Sequence, residues 1–224
     1  MSTPLIHLET MFVLDDAGRI LSTCEPQATP GPRFFLVRGL TGSAWAVRSD
    51  VVDEVAEALS RLAQNEPPLS DFRDAPLHAQ QYQALIGGRV HSGPMFVFPQ
   101  VLTHASDVVP VEDEQLLGRY FRGWIRGEIV AGRAPALAIV ESGYPVSVCF
   151  SARRSQIAAE AGLETATGFR GRGFGQRVTA AWALAVRTTG RTPLYSTDWT
   201  NAASLAVARK LRLEAYGANW NLSD

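Results

Sequence analysis

Three glycines set two positions apart, Gly171, Gly173 and Gly175, fall in the string Arg170-Gly171-Arg172-Gly173-Phe174-Gly175, after a strand-forming run and before a helix-forming one. Lacking a Cβ, each admits positive φ and lets main-chain N–H groups come close to a ligand. The helix that follows adds the unpaired N–H groups of its first turn and the positive end of its dipole to the same concavity. A concavity of this kind holds a diphosphate. Arg170 and Arg172 add guanidinium forks suited to phosphate oxygens, with Arg170 the preferred ligand of the two.

The spacing separates this loop from two other phosphate loops. A Walker loop needs Gly, four residues, then Gly-Lys-Ser/Thr, a string found nowhere in the chain. The dinucleotide fingerprint Gly-x-Gly-x-x-Gly does not match the even spacing of Gly171, Gly173 and Gly175. A Gly/Arg cluster standing alone reads more readily as a flexible surface turn, but here ordered elements follow it. Val178, Ala181, Trp182 and Ala185 recur at helical spacing over 176–187, and Gly190 is placed to end that helix. A short strand is expected over 192–197. Asn201 then caps a helix carrying Ala202, Leu205, Ala208 and Leu211. Such a cap contributes about 1 kcal/mol, so Asn201 has a structural role whatever else it does.

In this order the residues resemble the GCN5-related N-acetyltransferases (GNAT). The loop 170–175 is similar to the family's Arg/Gln-x-x-Gly-x-Gly/Ala, and Asn201-Ala202-Ala203-Ser204 is similar to the Asn-x-x-Ala/Ser that opens its last major helix. The resemblance runs over the C-terminal half of the chain and is densest from Glu160 onward. It implies acetyl-CoA or CoA as cosubstrate, no metal, and direct transfer of an acetyl or short acyl group to an amine in a ternary complex. Thr165, Ala166 and Thr167 inherit the positions whose main chain meets the pantetheine arm. Arg170, Gly171, Arg172, Gly173, Phe174, Gly175 and Gln176 inherit the phosphate loop and the helix start. Asn201 and Ser204 inherit contacts to the pantetheine or phosphate region.

One departure bears on chemistry. Seven residues after the Asn the family commonly carries a Tyr that protonates the departing thiolate, and here that position is Ala208. Two further positions, usually Gly and Phe, are Arg212 and Leu213. Ser204, Tyr195 or a water is left to supply the proton, or positioning alone supplies the acceleration. For the base, Glu160 is the first candidate and Glu164 the second, four residues apart on one strand in which the family commonly has a bulge. Either is equally well read as a solvated or ion-paired strand residue. The missing Tyr also makes a non-catalytic acyl-CoA-binding or regulatory module the alternative function.

Composition enters mainly to exclude. With 224 residues, 46% of them hydrophobic, and a net charge of −1, the chain buries a core and offers nucleic acid or anionic lipid no long-range attraction. The start, Met1-Ser2-Thr3-Pro4, lacks a basic segment followed by an apolar run, and no run of about eighteen apolar residues occurs. A cytoplasmic protein is therefore expected, with no membrane and no nucleic-acid partner. Cys24 and Cys149 share no metal-ligand spacing with each other or with any His and read as two buried free thiols.

The fold class expected is α+β (mixed α/β), with residues 1–90 a small α+β N-terminal module and residues 91–224 the GNAT-like acyl-CoA-binding domain. Hairpins are expected at 11–23, 34–47 and 136–150, around Asp15-Asp16-Ala17-Gly18-Arg19, Gly39-Leu40-Thr41-Gly42 and Ser142-Gly143-Tyr144-Pro145. Helices are expected from Asp50 to the Pro67-Pro68 stop, over 77–86 and over 113–129, and a strand over 96–102. Trp124, Trp182 and Trp199 read as core or pocket wall. His91 and His104 lie near the junction, within reach of an acceptor site or merely structural. The acceptor, a small-molecule or peptide amine, is not legible, and a homodimer is left open.

Overall fold

The structure is a computed structural model and describes residues 3–103 and 105–224. His104 lies outside the described residues, as do Met1 and Ser2. In chain order the elements begin with α1 (Thr3–Met11), β1 (Phe12–Leu14), β2 (Ile20–Thr23), β3 (Phe34–Gly39), β4 (Ser43–Val47), α2 (Asp53–Gln64), α3 (Ala79–Ile86) and β5 (Arg89–Val97). They continue with β6 (Val108–Pro110), β7 (Ala136–Glu141), β8 (Tyr144–Arg154), β9 (Ala158–Thr165), α4 (Phe174–Thr188), β10 (Thr192–Ser196), α5 (Ala202–Lys210) and β11 (Glu214–Ser223). Two compact units result, one of Met1–Val97, Ser196–Ala202 and Ala215–Asp224, the other of Phe98–Tyr195 and Ala203–Glu214.

In the first unit the strands run in the order β4-β3-β11-β5, with β1 and β2 forming a separate hairpin. The continuous apolar run of β3 is buried throughout because both faces of its sheet are covered. Phe34 and Leu36 pack with Leu59 of α2, Tyr82 of α3 and Trp220 of β11. Their alternates Phe35 and Val37 pack with Leu8 and Met11 of α1, Phe12 and Ile20. The period of two thus divides one strand between two cores. Arg48 ties the chain's end into this unit, with Asp50 at 2.8 Å and Asp224 at 2.7 Å.

That pairing corrects one expectation: Asp50 bonds Arg48 instead of capping a helix, and α2 starts three residues later with Val52 before it. The second helix is α3, ended by Gly87 at φ +63°. The strand expected over 96–102 is β5, which ends at Val97 ahead of Pro99, a residue with no N–H for a ladder. Cys149 is buried as expected, whereas Cys24 is only partly so.

The second unit has strand order β10-β9-β8-β7-β6, antiparallel except for the parallel β9–β10 pair. All three expected hairpins form, this one through β7 and β8. α4 packs on β7, β8 and β9, and Trp182 is fully buried with its indole N–H 3.4 Å from Ser151 Oγ. The helix expected over 113–129 does not form. Glu114–Arg119 is a 3₁₀ helix and Ile129–Arg133 a π turn. Gly118, Gly123 and Gly127 interrupt that stretch, and Gly127 takes φ +93°, outside a right-handed helix. Among the described residues no helix is long and apolar enough to cross a membrane.

Candidate functional site

The loop between β9 and α4 is built as its glycines require. Gly171 and Gly173 take φ +79° and +77°, a left-handed region that costs other residues about 1–2 kcal/mol. A Cβ at Gly171 would meet nothing within 4 Å, and one at Gly173 only Gln176 Nε2 at 3.9 Å, so the concavity above them is open. Among the described residues the main-chain N–H groups of Gly171, Arg172, Gly173, Phe174, Gly175 and Gln176 donate to no acceptor. Six adjacent donors around an open space make an anion cradle at the positive end of α4.

Side chains hold the cradle from behind. The Phe174 ring is buried with Ile139 and Val146, so Phe174 offers the site its amide and not its ring. Arg172 grips Glu141 with both terminal nitrogens, at 2.6 and 3.1 Å, and lies 4.5 Å above the Phe174 ring. Arg177 lies 5.0 Å from the same ring and pairs with Asp107 at 2.9 Å. Arg170 is exposed and donates from Nε to the Thr165 carbonyl at 3.1 Å. Of the two arginines singled out in the loop, Arg172 is engaged as a strut, while the terminal nitrogens of Arg170 carry no bond to the described residues. Glu141 was not foreseen, since its pairing spans 31 residues.

The ladder between β9 and β10 covers Thr192↔Ala158, Pro193↔Ala159 and Leu194↔Glu160 and stops there. β9 runs on through Ala161–Thr165, bonded to β8 on its other side. That edge presents main-chain donors and acceptors which an extended amide chain can pair with. Further along, the Thr165 and Thr167 carbonyls accept from Arg170 and the Ala166 carbonyl from Phe169, so at 165–167 the acceptors are already engaged locally. The extra residue of the bulge lies in β8, at Ala152, not in β9.

Glu160 is 2% exposed, and its carboxylate receives Arg153 Nη1 at 2.9 Å. Glu164 is exposed. In the same unit the hydroxyls of Tyr195 and Ser204 share a hydrogen bond, and the Tyr195 hydroxyl also lies 3.3 Å from the Ser204 carbonyl. Burial pushes the Tyr195 phenol up to about 12, against a smaller opposing effect of its bond to Ser204. Ala208 is 2% exposed. α5 closes with Arg212 N–H donating to the Arg209 carbonyl and Leu213 N–H to the Ala208 carbonyl, a Schellman motif with Arg212 at φ +53°. Val207 of α5 and Leu163 of β9 flank Gly175, 3.5 and 3.4 Å from where its Cβ would lie.

Asn201, in the other unit, directly precedes α5 and is exposed. His91 is exposed on β5, near enough to Asp198 to help depress that carboxyl, after the larger effect of its Thr200 bonds. No cluster of three metal-ligating side chains occurs among the described residues.

Residues 132–217 match the GNAT acetyltransferase family model. No curated protein matches the chain. Among solved structures, a protein assigned to the GNAT family from Novosphingobium aromaticivorans is similar at 16% identity and TM-score 0.51, over 60% of this chain and 64% of that one. A GNAT-family acetyltransferase from Colwellia psychrerythraea is similar at 14% identity and TM-score 0.51, over 80% of this chain and 76% of its own. At such identities the likeness concerns the fold. Residues 132–217 thus match the GNAT acetyltransferase family, and the fold is similar to that of structures assigned to it.

Proposed function

We propose that this protein is an acyl-CoA-dependent N-acyltransferase that moves an acetyl or short acyl group to an amine in a ternary complex. The observation that carries the reading is the row of six unbonded amides from Gly171 to Gln176 over open space, beside a strand edge that runs past the end of its ladder. The residues fit the group: the amides and the Arg170 guanidinium would hold its diphosphate, and the edge at 161–165 its extended arm. When bound, acyl-CoA supplies a thioester whose carbonyl is the electrophile.

The chain's own residues then have three tasks. The loop and β9 fix the donor's position, which converts a bimolecular encounter into an oriented one. A carboxylate accepts the amine's proton, directly or through water. Glu160 has to share its oxygens with Arg153, whereas Glu164 faces solvent, so the variants E160Q and E164Q separate the two. Ser204, with the Tyr195 phenol behind it, returns a proton to the leaving sulfur.

The buried methyl of Ala208, in place of a phenol, supports the second reading, a module that binds acyl-CoA without turnover. Calorimetry with acetyl-CoA, followed by thiol release over a panel of primary amines, tells them apart. Binding with amine-dependent release supports the enzyme, binding without release supports the module, and absence of binding overturns both.

A further inference from the structure

The first unit contains a cavity of about 220 Å³ that nothing above uses. Its walls include the aromatic side chains of Phe72, Trp199 and Trp220, and its polar lining includes Arg38, Arg73 and Asn219. Arg38 lies on β3 and is only 5% exposed. A guanidinium has five N–H donors, yet among the described residues that of Arg38 has one hydrogen-bond partner, the main-chain carbonyl of Asp74. Burial lowers its proton affinity, and the charges of Glu66 and Asp74 only partly restore it. Among the described residues its bond to Asp74 goes to the main-chain carbonyl and not to the carboxylate. Its remaining donors are not sealed in the core, so they are open to an acceptor that enters the cavity.

The second guanidinium has a different setting. Arg73 stacks over the Trp199 ring at 4.3 Å, which fixes a cation at the rim and leaves a flat indole as one wall. Glu66 is committed to the amides of Leu77 and His78 and to the Tyr82 hydroxyl, at 2.8, 2.9 and 3.0 Å. The charged groups lining the cavity are therefore Arg38 and Arg73 against Asp74 alone, an excess of one positive charge. The volume is below the ~300–1,000 Å³ of drug-sized clefts, so the occupant is small.

We propose that this cavity binds a small monocarboxylate with a flat aromatic body, its carboxylate on Arg38 and its ring between the tryptophans. The site is independent of the acyl-transfer reading. Titration of the full chain with indole-3-acetate and with the uncharged indole-3-acetamide, followed by calorimetry and by tryptophan fluorescence, tests it. The acetate is expected to bind, and the acetamide to bind about tenfold more weakly or worse, because the guanidinium loses its anionic partner. Arg38→Met is expected to abolish binding of the acetate. As that variant removes a buried group, Arg73→Gln serves as the second test: its side chain is exposed, so the fold stays intact while acetate affinity falls several-fold. Equal affinity for acid and amide, no binding of the acetate at millimolar concentration, or wild-type affinity in Arg73→Gln would overturn the proposal.

Discussion

The hydroxyl of Ser204 is hydrogen-bonded to the phenol of Tyr195, at the start of the helix that carries Ala208 where the family resemblance implies a tyrosine. Burial pushes Tyr195 up to about 12, so the phenol keeps its proton through the neutral and mildly alkaline range. In the proposed reaction Ser204→Ala is expected to lower kcat by about tenfold to a hundredfold with little change in KM for acyl-CoA. Tyr195→Phe should lower kcat as well, and the double variant should fall no further than the worse single one. The wild-type kcat profile should show no falling limb from this pair below about pH 10, the ordinary tyrosine value. Stopped initial rates across pH check all of these, and additive losses would contradict a shared proton path.

The two loop arginines should behave differently. Arg172 is held by Glu141 and the Phe174 ring, whereas Arg170 presents its terminal nitrogens to solvent beside the open amides. Arg170→Ala is expected to weaken CoA by roughly tenfold without changing Tm. Arg172→Ala is expected to leave CoA affinity within about threefold and to reduce stability by no more than about 1 kcal/mol, since its ion pair is half exposed. Calorimetry and thermal melts on both variants decide it, and a reversed order would contradict the assignment.

Arg212 occupies the left-handed position of the Schellman motif that ends α5. Glycine takes that conformation without steric strain, so Arg212→Gly is expected to raise stability by about 1 kcal/mol, seen as a higher Tm. A lower Tm would show that the arginine side chain makes a compensating contact.

Gly93 lies inside β5 where a Cβ would stand 1.7 Å from the Thr197 carbonyl oxygen, within the same unit. No side-chain movement relieves a clash with main chain. Gly93→Ala is expected to destabilise by about 3 kcal/mol or more, read as loss of soluble protein or a steep fall in Tm. Wild-type melting would contradict the close approach.

What the sequence made legible was local chemistry. The loop 170–175 announced itself because glycine spacing and a helix start are read within a few residues, and α4 formed from Phe174 to Thr188 around the expected apolar face. The run Phe34 to Val37 likewise reported one strand of the hairpin that β3 and β4 form. Misreading came where a local pattern competed with backbone freedom. Leu117, Phe121 and Trp124 have helical spacing, yet the glycines among them favour turns, and those side chains reach one core cluster without a continuous helix. α1 went unread because a nine-residue segment has little amphipathic signature of its own and is held by Phe35 and Val37, which lie far along the chain. The bite of Glu141 on Arg172, the end of the β9–β10 ladder and the unmatched Arg38 belong to the same class. Each is a relation between residues distant in sequence, which periodicity cannot express.

The account rests on the main-chain amides of Gly171 to Gln176 receiving a diphosphate. Calorimetry of the full chain with CoA and with pantetheine, which lacks the diphosphate, tests this directly, with Gly173→Glu as the control that places a carboxylate in the cradle. CoA should bind at least about a hundredfold more tightly than pantetheine, and Gly173→Glu should abolish that difference while the circular dichroism spectrum is retained. Equal affinities for CoA and pantetheine, or undiminished CoA binding by folded Gly173→Glu, would contradict it.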